Sequence, residues 1–154
     1  MQMPTPAPGH RLLERLAGVW EGEETMFPSQ WDPAGGTAQG RTESRIALDG
    51  FALIGDYTQE REGRVTFRGH SVMTYDPKAD LYTLHWFDSL GSPPEVFTGR
   101  FDGDVLVHSH GGPHMHVRLT YDRSEEGTLG SSMEMSPDGK DWKRLFEARY
   151  RFRR

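Results

Sequence analysis

The sequence predicts an all-β protein, a single antiparallel up-and-down barrel of about ten strands, opened by a short N-terminal helix. Three observations carry this. Turn signals recur about every dozen residues, from Pro33–Gly36 through Asp49-Gly50, Glu62-Gly63, Asp76-Pro77 and Ser92–Pro94. They continue through Asp102-Gly103, Gly111–Pro113 and Glu126-Gly127 to Pro137–Gly139. No stretch after Gly18 returns to helical periodicity. Finally, the first strand carries Glu21, Glu23 and Glu24 while the last carries Arg149, Arg151, Arg153 and Arg154, so a closed sheet would set opposite charges across its seam.

Taken in order, residues 1–8, with Pro4, Pro6 and Pro8, read as a disordered lead-in to one barrel domain at 9–154. Leu12, Leu13 and Leu16 fall on one face of a short helix over 9–17, ended by Gly18. Strands are then expected at 18–27, 39–48, 51–60, 65–75, 80–88, 95–101, 105–110, 114–122, 128–136 and 140–152. Short connections favour antiparallel neighbours, and closure removes exposed edges.

The last strand has the clearest inward face, with Trp142, Phe146, Ala148, Tyr150 and Phe152 at one parity and Arg144 among them. Tyr82, Leu84 and Trp86 share a face in the same way. Aromatics and methionines so placed fill a core or line a cavity. A charge on an apolar face needs a partner, so Arg144 is expected to meet an internal carboxylate or the acidic head of a ligand.

Four of the seven histidines, His108, His110, His114 and His116, stand within nine residues around Gly111-Gly112-Pro113. An odd hairpin loop, with 110–114 preferred, sets His108 opposite His116 and gives all four one facing parity, with Val105, Val107, Met115, Val117 and Leu119 on the other. That arrangement could chelate a transition metal such as zinc, nickel or copper. Against it, the aliphatic residues claim the buried face and leave imidazoles to solvent. The turn at Asp102-Gly103 bears on the same question. A two-residue loop pairing Phe101 with Asp104 puts Phe97 and Phe101 on the histidine face, whereas a three-residue loop pairing Phe101 with Val105 leaves the histidines outside. The apolar pattern favours the second.

Composition narrows the classes. One domain of 154 residues with 18 basic and 23 acidic side chains, net charge -5, lacks the basic footprint of a nucleic-acid binder. The absence of cysteine excludes a disulfide framework and thiol chemistry. No leader-like or membrane-spanning apolar run occurs, so a cytoplasmic location is expected. There is no phosphate-cradling glycine motif, nucleophile elbow or paired carboxylate, and Ser136–Trp142 reads as a tight hairpin with Gly139 left-handed.

Gly9-His10, Leu16-Ala17-Gly18-Val19-Trp20-Glu21-Gly22, Leu48-Asp49-Gly50, Tyr75-Asp76-Pro77 before Tyr82 and Trp86, Ser136–Gly139 with Trp142, and Ala148-Arg149-Tyr150-Arg151 resemble the bacterial family catalogued as domain of unknown function 1579. Leu16, Gly18, Trp20 and Gly22 also look like the opening of nitrobindin-type barrels within the wider lipocalin and fatty-acid-binding-protein group. The resemblance implies a barrel with an interior ligand cavity and no activity to inherit. Nitrobindin-like barrels hold haem through a histidine near the C-terminal end. The last strand here has none, so haem would need His70, His85 or the 108–116 cluster.

The leading expectation is therefore a non-enzymatic barrel that binds an apolar ligand, an acidic head being one option, through Trp86, Trp142, Arg144, Phe146 and Tyr150. The alternative is a metal-binding or metal-dependent protein using His108, His110, His114 and His116. A third reading is an interaction module, such as a homodimer built on an exposed strand face.

Overall fold

The structure is a computed structural model that describes all 154 residues. A helical turn, α1 (Pro8–Arg11), continues as a 3-10 turn over Leu12–Leu16. Ten strands follow: β1 (Gly18–Met26), β2 (Gly36–Ala47), β3 (Ala52–Arg61), β4 (Arg64–Asp76), β5 (Leu81–Asp88), β6 (Glu95–Asp102), β7 (Val105–Gly111), β8 (His116–Asp122), β9 (Thr128–Ser136) and β10 (Lys143–Arg153). Each pairs antiparallel with the next, and β1 pairs with β10, closing the barrel. The strand count is the one the turn spacing implies, and the closure is the one the opposite charges of the first and last strands favour.

The charged seam forms largely as the sequence suggests. Glu21 stands opposite Arg151, and its carboxylate is 3.2 Å from Arg153 Nε. Arg41 on β2 adds a second partner to Glu21, and Arg149 pairs instead with Glu125. Glu24 departs from the expectation, because it turns inward.

The N-terminal segment stoppers one end of the barrel. Leu13 and Leu16 are buried there, whereas Leu12, expected on the same face, is exposed. Trp20 Nε1 donates to Leu16 O at 3.2 Å, and Arg123 Nε donates to Arg15 O at 2.8 Å with its guanidinium over the Trp20 ring. The Tyr82 hydroxyl donates to Gly9 O. A Cβ at Gly9 would lie 2.3 Å from the Tyr75 ring, so only glycine lets the backbone approach this closely. His10 is buried between the rings of Phe51 and Tyr75, and its Nδ1 accepts from Ala7 N at 3.0 Å. The Gly9-His10 and Leu16-to-Trp20 motifs thus build the closed end.

Beyond the stopper the core is lopsided. Bulky residues such as Leu84, Phe97, Leu106, Leu129 and Tyr150 pack inward from β5 to β10. The facing wall on β2 to β4 includes small residues, Thr42, Ser44, Gly55 and Ser71, between larger ones such as Leu53, Tyr57 and Met73. Substituting Leu13, fully buried in the stopper, by Ala should cost about 3 kcal/mol of unfolding free energy. Urea denaturation followed by tryptophan fluorescence measures this, and a cost below ~1 kcal/mol would show that the segment does not seal the barrel.

Candidate ligand cavity

The small side chains on β2 to β4 leave a cavity of about 600 Å³ inside the barrel, open at the end opposite the stopper. Its wall is mostly apolar, including Leu53, Met73, Leu119, Met133 and Phe146. Around the mouth stand Met26, Phe27, Trp31, Phe67 and Leu90, with Trp31 and Leu90 largely exposed. Trp86 reaches across the wall because Gly69 faces it: a Cβ there would lie 2.1 Å from the indole. Its Nε1 donates to Asp88 Oδ2 at 2.9 Å.

The polar centre of the interior is Glu24, whose side chain has no solvent exposure. On β2, Ala38 lies opposite it, and a Cβ at Gly40 would fall 1.9 Å from Oε2. These two small residues let the carboxyl reach over β2 to β3. There the Tyr57 hydroxyl donates at 2.7 Å and 2.8 Å to the two carboxyl oxygens, and Gln59 Nε2 donates at 3.0 Å. From the other neighbouring strand, β10, the Tyr150 hydroxyl donates to Oε2. Such donor saturation is what a buried carboxyl group requires. Burial first, and the Glu24 charge second, push the Tyr57 and Tyr150 hydroxyls well above the usual phenol range, so both stay protonated. Glu24 was grouped with the charged seam in the sequence. Its parity with Trp20, Gly22 and Met26 was the signal that it points in.

Three of the residues expected to contact a ligand, Trp86, Phe146 and Tyr150, line the cavity. Trp142 and Arg144 do not. The register of β10 against β9 shifts between Arg144 and Phe146, a bulge that rotates Arg144 out of the inward parity. Its guanidinium pairs with Glu147 at 2.9 Å on the exposed surface. Trp142 lies under the Arg118 guanidinium, 4.1 Å from the ring centroid.

The histidine hairpin differs from the expected register as well. His108 pairs with Leu119 and Gly111 with His116, leaving the even loop 112–115, closed by Gly112 N donating to Met115 O at 2.9 Å. His108 and His110 therefore lie on the inward parity, His116 faces outward and His114 is in the loop. No three His, Cys, Asp or Glu side chains come together to hold a metal ion. At the preceding turn Asp102 pairs with Val105, and Phe101 with Leu106. This puts Phe97 and Phe101 on the His108 face, the arrangement the apolar pattern had argued against. The pattern misleads because Val105 and Val107 stay on the outer face at partial exposure, where β-branched residues suit a strand without deep burial.

His108 is almost fully buried. Its Nδ1 is 2.8 Å from Leu119 O, and since a carbonyl only accepts, Nδ1 carries the proton. Nε2 is left as a buried lone pair with no partner, between the rings of Phe97 and Tyr121. No histidine lines the cavity, so a haem there would find no imidazole ligand among its walls.

The profile of the family described as "Protein of unknown function (DUF1579)" matches residues 5–152, and the chain belongs to that family. No curated protein matches the chain. Among solved structures it is similar to Rv2717c from M. tuberculosis, with TM-score 0.69 and 15% identity over 96% of this chain and 99% of that one. It is also similar to the S-type phycobiliprotein lyase CPES from Guillardia theta, with TM-score 0.60 and 10% identity over 94% of this chain and 92% of that one. These likenesses show a calycin-like fold. No helix is long and apolar enough to cross a membrane.

Burial lowers the His108 pKa from 6.5 to about 4, outweighing the opposing hydrogen bond to Leu119. The unfolded imidazole takes up a proton below pH 6.5 that the folded one refuses until about pH 4. Stability from this group is thus constant above 6.5 and falls between 6.5 and 4, by about 3 kcal/mol in all. His108→Asn keeps a donor on Cγ for Leu119 O, in the position of Nδ1, and removes the titration. Urea unfolding at stepped pH should show a shallower decline for the variant, and an equal slope would contradict the assignment.

Proposed function

We propose that this member of the family is a small-molecule-binding barrel whose interior cavity holds an apolar ligand. The carrying observation is the cavity of about 600 Å³, open at one end and walled mainly by apolar side chains. A core built only for stability would close such a space, because unfilled volume is destabilising. The small residues opposite Trp86 and on β2 to β4 keep it open instead. Trp86, Phe146 and Tyr150 are the proposed contacts from the original aromatic set, joined by Tyr57 and Gln59. Arg144, exposed and paired with Glu147, is not available to hold an acidic head.

Binding rather than catalysis fits the chemistry of the polar centre. Tyr57 and Tyr150 stay protonated and give their protons to Glu24, which leaves neither as a base nor as a nucleophile. The proposed role is therefore to sequester or carry a lipophilic compound.

A neutral apolar fluorophore, N-phenyl-1-naphthylamine, is the probe. Titration should give saturable fluorescence enhancement at one site per chain. Ser71→Phe fills the wall beside Gly55 and should weaken binding by about tenfold with unchanged circular dichroism. Absence of binding to the native protein, or binding unaltered by the filled wall, would overturn the proposal.

A further inference from the structure

The hydrogen-bond polarity of the cavity points to the chemistry of its occupant, given that the cavity is a ligand site. Each tyrosine hydroxyl has one proton, and those of Tyr57 and Tyr150 both go to Glu24. Gln59 Nε2 donates to Glu24 Oε1 at 3.0 Å, to the Tyr57 oxygen at 3.2 Å and to Met26 Sδ at 3.9 Å, so its protons are engaged within the protein. What Tyr57, Tyr150 and Gln59 have left for a ligand is lone pairs: the phenolic oxygens and the Gln59 carbonyl. These three residues accept and have no donor to spare, whereas the hydroxyls of Thr42, Ser44, Ser71, Tyr121 and Ser131 elsewhere on the wall can donate as well as accept.

Charge points the same way. The lining holds Asp32, Asp88 and Glu95 at the mouth, Asp56 as a fourth carboxylate, and no lysine, arginine or histidine. Asp32 is paired with Arg61 at 3.1 Å and Asp56 with His70 at 2.7 Å, and Asp88 accepts from Trp86, while Glu95 has no ion-pair partner. Behind the wall lies the buried Glu24. Set against Tyr57, Tyr150 and Gln59, a carboxylate head would leave water to face acceptors with like charge nearby, whereas an amine or hydroxyl would find acceptors already oriented.

We propose that the cavity takes a lipophilic molecule ending in a hydrogen-bond donor, an amine or a hydroxyl, which sets that donor against Tyr57, Tyr150 and Gln59, and that it discriminates against acid-headed molecules of the same length. Glu24 is a positioning residue here: it turns both hydroxyl protons away from the cavity and so fixes the polarity of this part of the wall.

The test is displacement of N-phenyl-1-naphthylamine by dodecylamine, dodecanol and dodecanoate, each below its micelle concentration. The amine or the alcohol should displace the probe at about tenfold lower concentration than the acid. An amine leading the alcohol marks the carboxylates as the selecting groups, and equal amine and alcohol mark the lone pairs; both support the proposal. Dodecanoate displacing as well as or better than the other two would overturn it while leaving the cavity reading intact. Failure of the probe to bind at all sinks the cavity reading itself. In Glu24→Gln the amide competes for the same tyrosine protons and offers its own, so the preference should shrink to within about threefold. Where that variant does not fold, Glu95→Gln at the mouth should narrow the gap between amine and acid. An unchanged preference in whichever variant folds counts against the proposal.

Discussion

A carboxyl group with no access to water must be surrounded by donors, and much of this barrel's interior follows from meeting that demand at Glu24. Two tyrosines and a glutamine reach it from β3 and β10, strands far apart in sequence that closure brings to either side of β1 and β2. The demand propagates outward. Gly40 and Ala38 have to be small for the carboxyl to cross β2, while a different set of small residues, Thr42, Ser44, Gly55 and Ser71, leaves that side of the barrel unfilled. The polar network and the cavity thus both depend on small residues on β2 to β4.

The two ends of the barrel divide the work. At one end the segment from Pro8 to Leu16 is held by Trp20, Tyr82 and Arg123, all of which bond its backbone carbonyls, and it buries Leu13 and Leu16 as a stopper. At the other end Trp31 and Leu90 stand exposed beside carboxylates around an open mouth. Sealing one end makes the cavity a dead-end site with a single way in.

The architecture was legible because it rests on local signals. Turn residues at regular spacing gave ten strands, and opposite charges on the first and last strands gave closure, later seen as Glu21 opposite Arg151. Trp86, Phe146 and Tyr150 followed from alternation alone. The failures occurred where one residue changes parity. A bulge after Arg144 and an even loop at 112–115 each shift the register by one, which inverts every facing assignment beyond it. Neither leaves a mark in hydrophobicity, since a neutral His108 is as acceptable inside as Val107 is outside. Glu24 was missed for a different reason: its charge outweighed its parity, and the donors that make its burial tolerable come from strands that composition cannot pair.

The most direct test is a crystal structure determined under xenon pressure, since xenon enters apolar space that the protein leaves empty. The expected result is xenon within the barrel against Leu119 and Met133, with the Glu24 carboxyl caged by Tyr57, Gln59 and Tyr150. A packed interior that admits no xenon, or a Glu24 side chain turned out to solvent, would contradict the account.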